Sequence, residues 1–286
     1  MDEQTRWTMR RVTTAADLIL DVAEQGDPGG RAVLLLHGFP QTHRCFDALA
    51  QRLAPHGLRL IAPDQRGYSP GARPADIQAY GLAHTVADAL RVLDACGVER
   101  ADVVGHDWGA MVAWALAAGR PDRVRTLTAV SVPHPRAMAA ALADERSGQR
   151  ERSAYMRLFR QPGKAEQVLL EDGAARLRAL YRPLPDRAAE PHLRALSEPA
   201  ALTASLNWYR AMRREDSALP PVDVPTTYVW STEDVAIGRA AAEYCAGQVT
   251  GPFRFVELPG VSHWIPDEAP DALADEVLRR IRSTAA

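Results

Sequence analysis

The stretch Asp102–Met111 reads D-V-V-G-H-D-W-G-A-M: an apolar run, two glycines bracketing His106-Asp107-Trp108, then alanine-rich helical sequence. This pattern is a glycine–x–nucleophile–x–glycine elbow with aspartate at its apex. Gly105 and Gly109 let the backbone turn sharply from strand to helix without side-chain clashes. The turn pushes the Asp107 side chain into the open, beside the positive end of a helix dipole that favours a carboxylate. An Asp at a helix start is by itself most often a cap, so the reading depends on what else the chain brings to the same place. A carboxylate nucleophile attacks an sp³ carbon and leaves an alkyl ester, so its matching electrophiles are epoxides and alkyl halides.

Three further features fall where such a nucleophile needs them. His37-Gly38-Phe39-Pro40 follows an apolar run directly, and a backbone N–H from this loop would pair with the one after the nucleophile. The expected oxyanion donors are the N–H groups of Phe39 and Trp108. A base is expected at His263, which alone of the eight histidines sits in a loop between the last strand-like run and the final helix. His43, His56, His84 and His192 fall on or beside helices, where solvated or satisfied side chains are the rule, and His134 opens a helical block between two prolines. The acid that orients the base is expected in Trp230-Ser231-Thr232-Glu233-Asp234, where either carboxylate could serve and Asp234 is preferred. The alternative position, after the next strand, holds Ser131, Val132 and Pro133 and no carboxylate. The order nucleophile Asp107, acid Asp234, base His263 results.

The elements that must position these groups are legible as an alternation of short apolar runs and helical spacing, the βαβ pattern of a mostly parallel sheet. Strands are expected at Ala32–Leu36, Leu58–Ala62, Ala101–Val104, Val124–Val130, Thr226–Trp230 and Phe253–Leu258. Helices are expected at Phe46–Ala54, Leu82–Cys96, Ala110–Ala118 and Ala269–Arg282, and an antiparallel pair at Thr8–Thr13 and Leu18–Ala23. From about Pro135 to Leu219 only helical spacing appears. The expectation is an α/β core of residues 1–134 and 220–286, with a helical cap of residues 135–219 inserted after the strand that follows the nucleophile helix.

Composition narrows the partners. Of 286 residues 47% are hydrophobic and 24% charged, enough to bury a sizeable core. Thirty-four basic against 36 acidic residues give a formal net charge of −2, which favours neither nucleic acid nor an anionic membrane as a partner. Cys45, Cys96 and Cys245 are widely spaced and read as buried hydrophobes, not as a disulfide frame or zinc site. Met1–Arg10 is polar, unlike a signal peptide, and no run reaches the roughly 18 apolar residues of a membrane span, so a cytoplasmic setting is expected. Both a monomer and a homodimer fit the sequence.

These residues resemble the α/β-hydrolase superfamily and, within it, the soluble epoxide hydrolases. The likeness covers nearly the whole chain: H-G-F-P at 37–40, D-Q-R-G-Y at 64–68, G-H-D-W-G at 105–109 and S-V-P-H-P at 131–135. Inside the helical insertion, Tyr155–Gly163 (Y-M-R-L-F-R-Q-P-G) and Leu206–Arg210 (L-N-W-Y-R) look like the segments that bear the family's two catalytic tyrosines. The resemblance thus implies that Tyr155 and Tyr209 hydrogen-bond or protonate the epoxide oxygen. Two departures stand out: Ser69-Pro70-Gly71 follow the Arg66-Gly67-Tyr68 motif, and residues 164–200 match little.

The implied activity is conversion of an epoxide and water to a vicinal diol through an ester on Asp107, hydrolysed by water that His263, held by Asp234, activates. No metal or organic cofactor is needed. Trp108 is expected at the substrate, with Trp230 and Trp264 near the site. Two other readings compete. A haloalkane dehalogenase shares the Asp nucleophile and Trp108, but often carries asparagine where this chain has Phe39, and gives Tyr155 and Tyr209 no task. A non-catalytic ligand-binding protein on the same fold need not keep nucleophile, acid and base together.

Overall fold

The computed structural model describes residues 7–14 and 17–284. Eight strands form one sheet: β1 (Thr8–Thr13), β2 (Ile19–Gly26), β3 (Arg31–Leu36), β4 (Leu58–Pro63), β5 (Ala101–His106), β6 (Val124–Val130), β7 (Thr226–Glu233) and β8 (Phe253–Ser262). Their spatial order is β1-β2-β4-β3-β5-β6-β7-β8. β1 and β2 pair antiparallel with each other, β2 pairs antiparallel with β4, and every later pairing is parallel. The apolar runs expected as strands all lie within these elements.

The continuous apolar character of β3 and β5 follows from burial on both faces. Leu34 and Leu36 pack into one core with Val103, while Val33 and Leu35 pack into another with Val104. Helices α1 (Asp47–Leu53), α2 (Leu82–Ala95) and α3 (Trp108–Gly119) follow β3, β4 and β5. α1 contributes Leu49, Ala50 and Leu53 to one core, and α2 and α3 contribute Ala89, Val92, Val112 and Leu116 to the other.

Between β6 and β7 lie six helices: α4 (Pro135–Ala143), α5 (Gln149–Arg152), α6 (Met156–Phe159), α7 (Lys164–Leu180), α8 (Asp186–Leu196) and α9 (Pro199–Ala211). No named strand falls in this block among the described residues. α7 is broken at Glu171–Ala174, where Asp172, Gly173 and Ala174 take positive φ. α10 (Arg239–Glu243) follows β7, a short helix that the sequence reading did not single out. α11 (Ile265–Glu268) and α12 (Pro270–Arg282) follow β8, and Leu273, Val277 and Ile281 of α12 close the core beside α1. All three cysteines are free and buried. Among the described residues no helix is long and apolar enough to cross a membrane.

Candidate active site

The Asp107 backbone takes φ 53° and ψ −119°, conformation that a side chain rarely adopts and that collects at functional sites. The sheet around it explains why glycines must flank it. A Cβ at Gly109 would overlap the Leu36 carbonyl of β3, and one at Gly105 would overlap the Gly109 carbonyl. A Cβ at Gly38 would occupy the place of the Asp107 carboxylate. The elbow therefore presses the nucleophile position against the His37–Pro40 loop. There the Phe39 N–H donates to Asp107 Oδ1 at 2.8 Å. Trp108 is the first residue of α3, whose opening N–H groups have no partner within the helix.

The other carboxylate oxygen, Oδ2, lies 3.6 Å from His263 Nε2. On the far side of the ring, His263 Nδ1 is 3.1 Å from both carboxylate oxygens of Asp234. Asp234 Oδ1 also accepts the N–H groups of Ala236 and Ile237, at 2.8 and 3.0 Å. Burial would raise the Asp234 carboxyl, but the His263 charge and the hydrogen bonds from His263, Ser131 and the Ile237 N–H outweigh it and hold the carboxyl below the usual carboxylate range. Burial would depress His263, but Asp234 and Asp107 overcome it and raise its pKa to about 10. Glu233, the other acid in this stretch, is exposed beside Thr232.

Ser131 is a member of this network that sequence reasoning missed. Its hydroxyl donates to Asp234 Oδ2 at 2.7 Å and lies 3.0 Å from His263 Nδ1, and its backbone sits at φ 67°. It directly follows β6, the position noted in the sequence only for lacking a carboxylate. A serine after a strand carries no pattern that would have marked it.

Opposite the carboxylate stand two phenols from the helical block. Tyr209 on α9 is buried, 5.1 Å from Trp108 and 6.3 Å from Tyr155, ring centre to ring centre. Tyr155 is 39% exposed. Burial, reinforced by the Asp107 charge, pushes both hydroxyls above the usual phenol range, so both remain protonated donors. Tyr209 is placed through its neighbour: Trp208 Nε1 donates to the Arg66 carbonyl at 2.8 Å. Arg66 in turn holds Asp88 with two 2.7 Å bonds in a buried pair. The D-Q-R-G-Y segment thus anchors the phenol-bearing helix to the sheet.

A cavity of about 510 Å³ opens between these elements, within the size range of small-molecule sites. Asp107 and Trp108 line it together with both phenols. Met111, Met138, Met156 and Met212 make an adaptable apolar wall. Arg150, Arg157 and Arg213, all exposed, mark its mouth. Trp230 and Trp264, expected near the site, lie beside it without lining the cavity: the Trp264 ring is 5.0 Å from that of His263. Trp230 is buried with its Nε1 on the Ile237 carbonyl at 3.1 Å, and Trp264 stacks on Tyr181 with its Nε1 on the Arg182 carbonyl at 3.2 Å.

The remaining buried histidines are structural by their bonds. Burial depresses His37 to about 4, and its Nε2 accepts the Gln65 N–H at 3.1 Å. Burial likewise depresses His106 to about 4, and its Nε2 meets the His263 carbonyl at 2.9 Å. His134 caps α4 by accepting the Arg136 N–H at 3.2 Å, and His192 accepts the Thr42 N–H at 3.1 Å. Among the described residues no cluster of His, Cys, Asp or Glu could hold a metal ion.

Comparison with known proteins agrees with this architecture. A family model for the alpha/beta hydrolase fold matches residues 31–270. Epoxide hydrolase A of Mycobacterium tuberculosis is 34% identical, over 91% of this chain and 92% of that protein. An epoxide hydrolase of Caballeronia sordidicola is 30% identical, over 92% of this chain and 91% of that one. The crystal structure of epoxide hydrolase A from Mycobacterium thermoresistibile superposes with a TM-score of 0.84 at 27% identity, covering 97% of this chain and 98% of that one. With a family model over most of its length and relatives matched nearly end to end, the chain belongs to the α/β-hydrolase fold family, among the epoxide hydrolase-like enzymes.

Proposed function

We propose that the protein hydrolyses epoxides to vicinal diols through a covalent ester on Asp107. The observation that carries this reading is one carboxylate held from two sides: Oδ1 by the Phe39 N–H at 2.8 Å and Oδ2 by His263 Nε2 at 3.6 Å, with two phenols facing it across an apolar cavity. Epoxide hydrolases among its relatives support the same reaction class.

In the first step Oδ2 attacks an epoxide carbon, forming a C–O bond as the ring C–O bond breaks. The leaving oxygen stays tethered and takes a proton from the phenols of Tyr155 and Tyr209, reaching down from the helices between β6 and β7, which act as a cap over the sheet. Oδ1 becomes the ester carbonyl. Loss of the Asp107 charge removes part of what holds His263 near 10, so the imidazolium releases a proton, which passes through water to restore the phenol that protonated the alkoxide. Neutral His263 can then act as a base. It deprotonates a water that adds to the ester carbonyl carbon, and the oxyanion faces the N–H groups of Phe39 and Trp108. Collapse breaks the bond between the carbonyl carbon and the ester oxygen, which takes the proton of the newly added hydroxyl and leaves as the second hydroxyl of the diol, while His263 keeps the proton it took from water. The Asp107 carboxylate returns with one oxygen from water.

Purified protein assayed on styrene oxide and 1-bromobutane should give diol and no bromide. Bromide without diol would transfer the site to dehalogenation, and silence on both would favour a binding protein. Within the first step, Tyr155→Phe and Tyr209→Phe should each slow alkylation by about 10-fold or more, and the double variant by about 10²–10⁴-fold, as loss of general-acid assistance does. Stopped-flow measurement of the alkylation phase checks this. An unimpaired double variant would remove the phenols from the mechanism.

A further inference from the structure

Gln41 is buried at the end of the turn that carries Phe39. Its backbone N–H donates to the Gly38 carbonyl at 2.9 Å, and its side-chain Nε2 donates to Asp267 Oδ2 at 2.8 Å. Asp267 lies on α11, which begins two residues after His263, and its own N–H donates to the Trp264 carbonyl at 3.0 Å. One side-chain hydrogen bond, spanning 226 positions of sequence, therefore joins two loops. The first presents the Phe39 N–H to Asp107 Oδ1, and the second presents His263 Nε2 to Asp107 Oδ2.

The chemistry of this bond is unlike that of packing filler. Burial, with Asp47 of α1 and Glu268 of α11 nearby, pushes the Asp267 carboxyl up to about 7 against the pull of the Gln41 amide. The Gln41 Oε1 is buried with no hydrogen-bond partner among the described residues. Both features weaken folding: a carboxyl whose folded pKa is raised subtracts stability as pH rises from its unfolded value toward 7. An orphaned buried amide oxygen adds a desolvation penalty. A pair of apolar residues would fill the same space without either cost, and locally unfavourable groups collect at functional sites.

We propose that Gln41 and Asp267 are a positioning pair that fixes the distance between the oxyanion donor and the base across Asp107. The proposal rests on the ester mechanism above and deepens it. Ester hydrolysis needs the base, the carbonyl carbon and the Phe39 N–H in one alignment, so it depends on both loops keeping register. Alkylation draws on Oδ2 and the two phenols, and the phenols belong to neither loop. Cutting the bond between the loops therefore loosens the second step more than the first.

Single-turnover kinetics with styrene oxide separate the two steps. Gln41→Leu and Asp267→Ala are each expected to slow ester hydrolysis by about 10- to 10²-fold, the scale of a small misplacement of reacting groups. Alkylation should stay within about threefold of wild type, so that ester accumulates. The double variant Gln41→Glu/Asp267→Asn keeps an amide–carboxylate bond with its direction reversed, and is expected to restore hydrolysis to within about threefold. Equal losses in both steps, matched by a lower active-site titre, would mean a purely structural pair and overturn the proposal. Unchanged hydrolysis in the single variants, or an exchanged pair no better than they are, would overturn it as well. If a single variant does not fold, the exchanged pair must still divide its time between the steps as wild type does, and a changed division overturns the proposal. Absence of any ester with the wild-type protein would instead remove the mechanism itself, a result distinct from all of these.

Discussion

Asp107→Ala is expected to lower diol formation by on the order of 10⁴-fold or more, the loss that follows removal of a nucleophile acting as one unit with its base. Among the described residues Asp234 is the only other acid bonded to His263, and it lies on the far side of the imidazole from Asp107. The same variant has a second, independent readout. Asp107 is one of the two charges that hold His263 at about 10, and its removal should shift the imidazole titration downward, measurable by NMR. The sign for stability follows. A histidine raised in the folded state contributes stability that is complete below its unfolded pKa and is lost as pH rises through about 10. In Asp107→Ala the loss should be smaller and should be complete at lower pH in a series of thermal midpoints. Retained turnover in the variant would end the ester mechanism.

His263→Gln should separate the two steps instead of abolishing both. Glutamine preserves bulk and polarity but cannot accept the proton of the attacking water, so alkylation continues and the ester persists. Incubation with an epoxide that wild type turns over should raise the intact mass by that of the epoxide, with the adduct mapping to the peptide that holds Asp107. Turnover should fall by about 10²–10⁴-fold or more, since the general base is gone. In wild type, a single turnover in ¹⁸O-labelled water should place the label in Asp107 and leave the diol unlabelled, because the ester oxygen comes from the enzyme. Label in the diol on the first turnover would mean direct attack of water on the epoxide.

Much of this was legible because the motifs are local and the strands are buried on both faces. Gly105 and Gly109 announce the elbow since β3 leaves no room for a side chain at Gly109, and Ala32–Leu36 reads as a strand because its residues alternate between two cores. The phenols were legible only through resemblance, since nothing in helical spacing distinguishes Tyr155 from any other aromatic residue near a helix. What stayed hidden depends on contacts between distant segments. Ser131 gains its role from two partners more than 100 positions away. Gln41 and Asp267 are an ordinary amide and an ordinary acid until the fold brings them to 2.8 Å. Trp230 and Trp264 stand close to the acid and the base as their sequence positions suggest, but which rings reach the cavity depends on packing that sequence proximity does not give.

The parallel order of the sheet sets when this chemistry can exist during synthesis. Asp107 follows a central strand, but His263, the base in the proposed mechanism, follows β8 at the sheet edge. A nascent chain that has formed β3 through β6 exposes a carboxylate on its elbow with neither His263 nor Asp234 to serve it. Pairing of β7 and β8 is what completes the set, and such long-range pairing comes late because loop closure must precede it. A truncated or half-made molecule could at most spend its nucleophile once on a reactive epoxide, and would have no means of recovering it. Under the proposed mechanism, hydrolytic turnover is a property only of the finished sheet, and its onset during refolding would time the docking of the last two strands.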